Sequence, residues 1–206
     1  MNEHKMTIFP KIILASASPA RESLLRQIGL DFKVIPSKID ESLVESNPKA
    51  YILQLSYQKA QTAGLEYQKQ NESYIIIGCD TIVIDPYQNI IGKPKNRILA
   101  RRMLQSLVGN YHTVMTGCTI IIKPDEIKYQ TVISTLVKFR NLSNGEIEYY
   151  LNKGEWRNKA GGYAIQGLGS VLIEEIQGDY YNVVGLPIHW IWQTIINHYG
   201  SSLFPV

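Results

Sequence analysis

Tyr74-Ile75-Ile76-Ile77-Gly78-Cys79-Asp80-Thr81-Ile82-Val83-Ile84 is the stretch that decides the fold. Its near-continuous run of β-branched and apolar residues reads as a central strand buried on both faces. A carboxylate nevertheless sits in the middle of it. Burying an ionised Asp costs several kcal/mol unless something pairs with it, so Asp80 needs either a partner or a task. With the strand period of two, Asp80 shares a face with Ile76, Gly78 and Ile82, while Cys79 and Thr81 point the other way. Gly78 removes a side chain on the Asp80 face, which predicts room there for a ligand or a metal. The plainer alternative is a strand-end Asp satisfied by backbone amides.

The chain has 206 residues, enough for a single domain across its full length, with two lobes and a full core. A hydrophobic content of 45% with 19% charged residues is ordinary for a globular protein. The net charge of +3 suits an anionic ligand. No Lys/Arg run of the kind that binds nucleic acid occurs, so no nucleic-acid partner is expected. Cys79 and Cys118 lie in apolar runs and read as reduced core thiols of a cytoplasmic protein. His4, His112, His189 and His198 have no zinc-ligand spacing. The apolar run Ile12-Ile13-Leu14-Ala15 is too short for a secretion signal, and nothing approaches the ~18 residues of a membrane span, so no membrane partner is expected.

Outward from the central strand, Ile12 to Ala15 predicts a short buried strand. Ser18 and Pro19 then open a helix as N-cap and first helical residue, with Leu24, Leu25 and Ile28 on its apolar face and Gly29 as its stop. Asp31 to Ile35 reads as a second strand and Pro36 to Ser46 as a polar loop. Pro48 opens a long helix to about Gln68, with Ile52, Leu55, Ala60 and Ala63 on its buried side. After the central strand, a turn over 85–89 returns Ile90 to Lys93 as a hairpin partner. Arg97 to Leu107 is a helix closed by Gly109. Tyr111–Ile122 and Ile127–Arg140 are two alternating strands that pair, and Ser143 with Glu146 forms a capping box. A Gly-rich irregular stretch from Gly154 to Gly169, a strand over Val171–Ile176 and a helix over Pro187–Tyr199 complete the chain. The pattern predicts an α/β fold with a mixed, partly antiparallel sheet flanked by helices, in two lobes with a central cleft.

Several residues along this scaffold carry chemistry. The turn Ser16-Ala17-Ser18-Pro19-Ala20-Arg21 joins a buried strand to a helix N-terminus, where free N–H groups and the helix dipole favour an anion. Arg21 in the first helical turn opposes that dipole, which fits an anion held by both; the alternative is a solvated Arg21 beside a Ser18 cap. The hairpin would place Lys93 opposite Asp80 or Thr81, as a charge pair or phosphate clamp. Asp40-Glu41 in the polar loop is an ordinary turn pair or, brought near Asp80, half of an oxygen site for Mg²⁺. Lys59 reads from its helix as a surface lysine. Glycines around Gln166 let backbone approach a ligand, and Gln166 offers a donor and an acceptor to a base edge. His112 reads as a satisfied core histidine, and Trp190 and Trp192 as packing residues.

The motifs Leu14-Ala15-Ser16-Ala17-Ser18-Pro19-Ala20-Arg21, Asp40-Glu41, Gln58-Lys59-Ala60, Cys79-Asp80-Thr81-Ile82-Val83, Gly92-Lys93-Pro94, Gly109 to Gly117 with His112, Lys159-Ala160-Gly161-Gly162-Tyr163-Ala164-Ile165-Gln166-Gly167 and Asn182-Val183-Val184-Gly185-Leu186-Pro187 follow one another in this order. Together they resemble the Maf family of nucleoside triphosphate pyrophosphatases, from Ile13 to about Ile188. The resemblance implies a cytosolic homodimer related in fold to the inosine triphosphate pyrophosphatases, which cleaves the α–β phosphate link with Mg²⁺ or Mn²⁺. It implies Asp80 as proton acceptor, Ser16, Arg21, Lys59 and Lys93 on the phosphate side, and Glu41 with Asp80 at the metal. Thr81 and Gln166 match the branch that prefers dTTP and UTP, whereas the 7-methyl-GTP branch tends to carry Gln and Glu there. Ala20 departs from the Arg usual in the pyrimidine branch, and Asn158 from a frequent Asp. The rival reading is a nucleotide-binding regulator of cell division without turnover, against which the retained Asp80, Glu41, Lys59 and Lys93 speak. Whether Asp80 takes the water's proton or holds the metal stays open at this level.

Overall fold

The computed structural model describes residues 10–37, 39, 47–67 and 72–200. Its centre is strand β3 (Tyr74–Ile84), buried along almost its whole length as the apolar run requires. Seven strands form one sheet in the order β2-β1-β3-β5-β6-β7, with β4 also paired to β3. Here β1 is Lys11–Leu14, β2 Phe32–Val34, β4 Ile90–Ile91, β5 Tyr111–Lys123, β6 Ile127–Phe139 and β7 Ile173–Gln177. The β1–β2 and β1–β3 pairs are parallel and the rest antiparallel, so the sheet is mixed as expected.

The register places the cleft. Along one edge, β3 pairs with β5 over its full length, from Tyr74↔Lys123 to Ile84↔Thr113. Its other edge is shared: β1 takes Tyr74 to Ile77, and β4 takes Val83 and Ile84. Between them, residues 78–82 have no strand neighbour on that side. Asp80 sits in the middle of this gap.

Helices cover both faces. Helix α2 (Pro48–Tyr67) lies on the Ile76/Gly78/Asp80 face, with Ile52, Leu55, Ala60 and Ala63 buried. On the opposite face, Ile75, Ile77 and Cys79 pack against Leu24 and Leu25 of α1 (Pro19–Gln27) and Ile191 and Ile195 of α6 (Ile188–Tyr199). Further along the same face, Val83, Val114, Val137 and Phe139 meet α3 (Arg97–Leu107) and α4 (Asn144–Lys153) through Leu104, Leu107, Ile147 and Leu151. These two apolar clusters are the two lobes. Thr81 falls between them, at the cleft.

Gly78 does not make room for a ligand. A Cβ there would lie 2.3 Å from the Ser56 carbonyl oxygen and 2.7 Å from the Ala60 nitrogen, so the missing side chain admits the backbone of α2. Gly117, the cross-strand partner of Asp80, does the same against the Ile52 carbonyl at 2.4 Å. A single strand's pattern cannot tell a space left for a ligand from one left for a helix.

Other differences are local. The strand expected over Val171–Ile176 starts at Ile173, because 3₁₀ turns over Gly167–Leu172 precede it. A short helix α5 (Tyr180–Val184), capped by Asp179 and ended by Gly185 in a left-handed conformation, precedes α6. The capping box at α4 is present: Ser143 Oγ accepts from the Glu146 amide at 3.3 Å, and the Glu146 carboxylate accepts from the Ser143 amide at 2.8 Å. Cys79 and Cys118 are buried, free thiols facing each other across β3 and β5. Trp190 and Trp192 are half-buried against the first lobe. Among the described residues, no helix is long and apolar enough to cross a membrane.

Because α2 rests on the bare backbone at Gly78, Gly78→Ala must push the helix off the sheet. It is expected to destabilise the fold by about 3 kcal/mol, the upper range for overpacking, read as a lowered urea midpoint at unchanged m-value. A midpoint equal to the unmodified protein's would contradict this packing.

Candidate active site

The cleft of about 530 Å³ opens over the gap in the β3 edge, a size in the ordinary range for small-molecule sites. The turn from β1 into α1, Lys59 of α2, Asp80 and Thr81, Lys93, the segment from Asn158 to Gln166 and the end of α5 all line it. Its described charged lining comprises Arg21, Lys59, Lys93 and Lys159 against Asp80. That excess of cations fits a polyanion.

Asp80 is buried, and Lys59 Nζ donates to its Oδ1 at 2.8 Å. The surface position expected for Lys59 is therefore wrong: it too is buried. The signal was present in its spacing. Lys59 follows Ile52 by seven residues and Leu55 by four, which places it on the buried stripe of α2. The helix that Gly78 admits thus carries the cation that pairs with Asp80. The hairpin ladder ends at Val83↔Ile91, and Lys93, exposed beyond it, lines the cleft.

Arg21 is also buried rather than solvated. Its Nε donates to the Gly185 carbonyl at 2.7 Å, Nη1 to Ser16 Oγ at 3.1 Å and Nη2 to Thr81 Oγ1 at 2.9 Å. All three acceptors are neutral, and among the described residues no carboxylate pairs with it. Of its five N–H groups, one on each terminal nitrogen remains for an anion. Ser16 Oγ also accepts from the Ser18 amide at 3.2 Å, so its hydroxyl proton is left to donate. Ser18 occupies the N-cap position of α1, yet its side chain makes no capping bond. The first-turn amides are not claimed by a side chain, as an anion site requires. Ala20, next to Arg21, also lines the cleft, and its side chain is only a methyl group.

The opposite wall is the Gly-rich segment, and it is firmly held. The Gly161 amide donates to the Gly92 carbonyl at 3.0 Å, and the Ala164 amide to Tyr150 Oη at 3.3 Å. The Glu155 carboxylate accepts from the amides of Leu168 and Gly169, both at 3.1 Å. His112 Nε2 and Tyr163 Oη are 2.7 Å apart, both residues buried. Burial lowers the His112 pKa from 6.5 to about 4 and raises that of the Tyr163 phenol. His112 is a core histidine but not the fully satisfied one expected: Nε2 backs a cleft-lining tyrosine, while the buried Nδ1 has no hydrogen-bond partner among the described residues. Gln166 projects from this wall, exposed and lining the cleft. Asn158 holds a left-handed conformation (φ 60°), which Asn tolerates better than most residues.

The donor set bears on the implied metal. Among the described residues no three His, Cys, Asp or Glu side chains converge on a metal site. Asp80 supplies one carboxylate, whose Oδ1 accepts from Lys59. That set does not suit an all-protein cage, but it fits Mg²⁺ or Mn²⁺, which take one or two carboxylates and complete their shell with substrate phosphates and water. Glu41 and its neighbour Asp40 lie outside the described residues. Gly185, Thr116 and Asn182 were not singled out as site residues from sequence, because their contributions run through a carbonyl and through buried hydroxyls.

Comparison with known proteins adds to this geometry. The family model "Maf-like protein" matches residues 11–198. A dTTP/UTP pyrophosphatase of Thermosipho africanus is 47% identical over 186 residues, 90% of this chain and 92% of that one. A dTTP/UTP pyrophosphatase of Clostridioides difficile is 39% identical over 194 residues, 94% and 97% of the two chains. A solved nucleoside-triphosphatase / dITP/XTP pyrophosphatase of Mycobacterium abscessus covers 91% of this chain and 93% of its own at 10% identity and TM-score 0.44. At that distance the fold assignment rests on the sheet topology alone.

Two outcomes follow from the buried groups. Lys59→Met leaves the Asp80 carboxylate without its partner and is expected to cost about 3 kcal/mol. Adding Asp80→Asn should recover part of that loss, and additive losses in the double-mutant cycle would show that the pair is not coupled. For His112, the folded state disfavours the proton that the unfolded chain accepts. Its contribution is complete above pH 6.5 and is lost as pH falls toward 4, up to about 3 kcal/mol. His112→Gln should flatten the stability profile between pH 7 and pH 4.5 relative to the unmodified protein; an unchanged slope would exclude this origin.

Proposed function

The chain belongs to the Maf-like protein family, and from that membership and the cleft's geometry we propose that it hydrolyses dTTP and UTP to the nucleoside monophosphate and pyrophosphate. The observation that carries the reading is the Asp80–Lys59 ion pair on the floor of a cleft whose other described charges are cationic. A regulator that only binds nucleotide needs the cations; it has no use for a buried carboxylate beside the phosphates.

In this reading the triphosphate lies along the β1–α1 turn. The Ser16 hydroxyl and the two remaining Arg21 N–H groups donate to phosphate oxygens, and Lys93 and Lys59 add charge. Positive groups held in place before the substrate arrives stabilise the charge that develops on the leaving pyrophosphate. Asp80 acts on the attacking water in one of two ways: with Lys59 on Oδ1, it either accepts the water's proton as the α-phosphorus is attacked or holds the metal that acidifies that water. Asp80 and Glu41 are the proposed carboxylate ligands of a Mg²⁺ or Mn²⁺ ion, which when bound neutralises phosphate charge and makes water more acidic. On the far wall, Gln166 reads the base, and Thr81 and Ala20 belong to the specificity set. A cytosolic homodimer is part of the same reading.

A pyrophosphate-release assay over dTTP, UTP, 7-methyl-GTP and the purine triphosphates, with and without Mg²⁺, tests it. dTTP and UTP should turn over fastest and only with the metal, and Asp80→Asn should reduce their kcat by at least about a thousandfold while the protein stays folded. Near-normal turnover by Asp80→Asn, or no release from any nucleotide, would sink the reading.

A further inference from the structure

Arg21 is held by three neutral acceptors, and one of those contacts begins a chain that leads deep into the protein. Arg21 Nη2 lies 2.9 Å from Thr81 Oγ1, which lies 2.9 Å from Thr116 Oγ1, which lies 3.2 Å from the Asn182 carbonyl oxygen. The two ends set the direction of every bond. A carbonyl has no proton, so the Thr116 hydroxyl must give its hydrogen to Asn182. Thr116 then has only lone pairs for Thr81, so Thr81 must donate to Thr116. Arginine has no acceptor, so Thr81 receives from Arg21. Each hydroxyl is thereby committed in one orientation.

The far end is anchored. Asn182 and Thr116 are fully buried, and Asn182 Nδ2 donates to the Val114 carbonyl at 3.1 Å and to Thr135 Oγ1 at 2.9 Å. Thr135 Oγ1 in turn donates to the Asp179 carbonyl at 3.0 Å. The Gly185 carbonyl that takes Arg21 Nε follows the same helix, α5. Two of the three ties on Arg21 therefore lead to the segment 179–185, which is pinned to β5 and β6.

We infer that Thr116 and Asn182 are positioning residues for the phosphate-binding arginine, and that Thr81 works at the phosphate end of the cleft rather than by reading the base. The inference rests on the nucleotide reading above and revises the place of Thr81 within it. With its one hydrogen given to Thr116, Thr81 has none to donate to a base carbonyl. Its oxygen aims the guanidinium, so that the fork meets phosphate already oriented.

The test is a double-mutant cycle of Thr116→Val and Arg21→Lys, read as the Kd for inorganic pyrophosphate by titration calorimetry. Lysine keeps the charge but not the fork that the chain orients. Thr116→Val alone should weaken pyrophosphate about tenfold, the scale of one lost hydrogen bond, and raise KM for dTTP and UTP by a common factor. In the Arg21→Lys background it should do nothing further, and Thr116→Ser should restore affinity. A purely structural role would give additive losses; base reading would weaken dTTP and UTP relative to the purine triphosphates and leave pyrophosphate affinity intact. Either result overturns the inference. Should Thr116→Val fail to fold, Thr81→Val takes its place in the cycle with the same expected outcome. Failure of the unmodified chain to release pyrophosphate from any nucleotide overturns the functional reading, while the calorimetric cycle still decides the inference. Failure of the unmodified chain to bind pyrophosphate overturns both.

Discussion

One edge of β3 is shared by two strands that do not meet. β1 runs parallel to its first half and β4 antiparallel to its end, and the backbone between them has no strand neighbour on that side. A sheet tolerates such an interruption only where something else compensates for it, because unpaired backbone in a core is costly. Here β5 holds the other edge through eleven consecutive register pairs, α2 seals one face at Gly78 and Gly117, and a separate apolar cluster packs on either side of the break on the opposite face. The interruption is thus the opening of the cleft, and the charged groups collect where it exposes β3.

The site divides along the same line. The turn into α1 and the buried Arg21 form an end suited to phosphate, built from one fixed cation, a hydroxyl with its proton to spare and uncapped amides. The Gly-rich wall forms the other end, held by Gly92, Tyr150, Glu155 and the His112–Tyr163 pair. Asp80 lies between them with its ion-pair partner supplied by α2. Burying a charged pair is seldom a net gain in stability, so its presence at the floor of an open cleft is better explained by chemistry than by folding.

Much of this was legible in residues 74–84 and the segments around them. β-branched runs, proline and glycine punctuation and the Ser143/Glu146 pair gave most elements to within a few residues, since those signals are local. Arg21 stood out in the sequence because it opposes the helix dipole, and the structure buries it at the cleft. What escaped depends on which element lies on which. Gly78 looked like space for a ligand because the strand pattern carries no trace of the helix that fills it. Lys59 reads as a surface residue by its charge, although its spacing sets it on the apolar stripe of α2. The Thr116–Asn182 connection spans 66 residues and ends on a backbone carbonyl, an acceptor that every residue possesses and no composition reveals.

The long strands have a further consequence, for motion. β5 runs unbroken beneath both lobes, paired with β3 on one side and with β6 through twelve register pairs on the other. Two bodies joined by a loop can swing about it; two bodies laid on the same uninterrupted ladder cannot separate without breaking hydrogen bonds in the middle of the sheet. The width of the cleft is then a lattice spacing of the fold rather than the outcome of closure. A polyanion entering it meets described walls whose spacing the sheet has already set, and the entropy of arranging those walls has been spent during folding, not at the moment of capture.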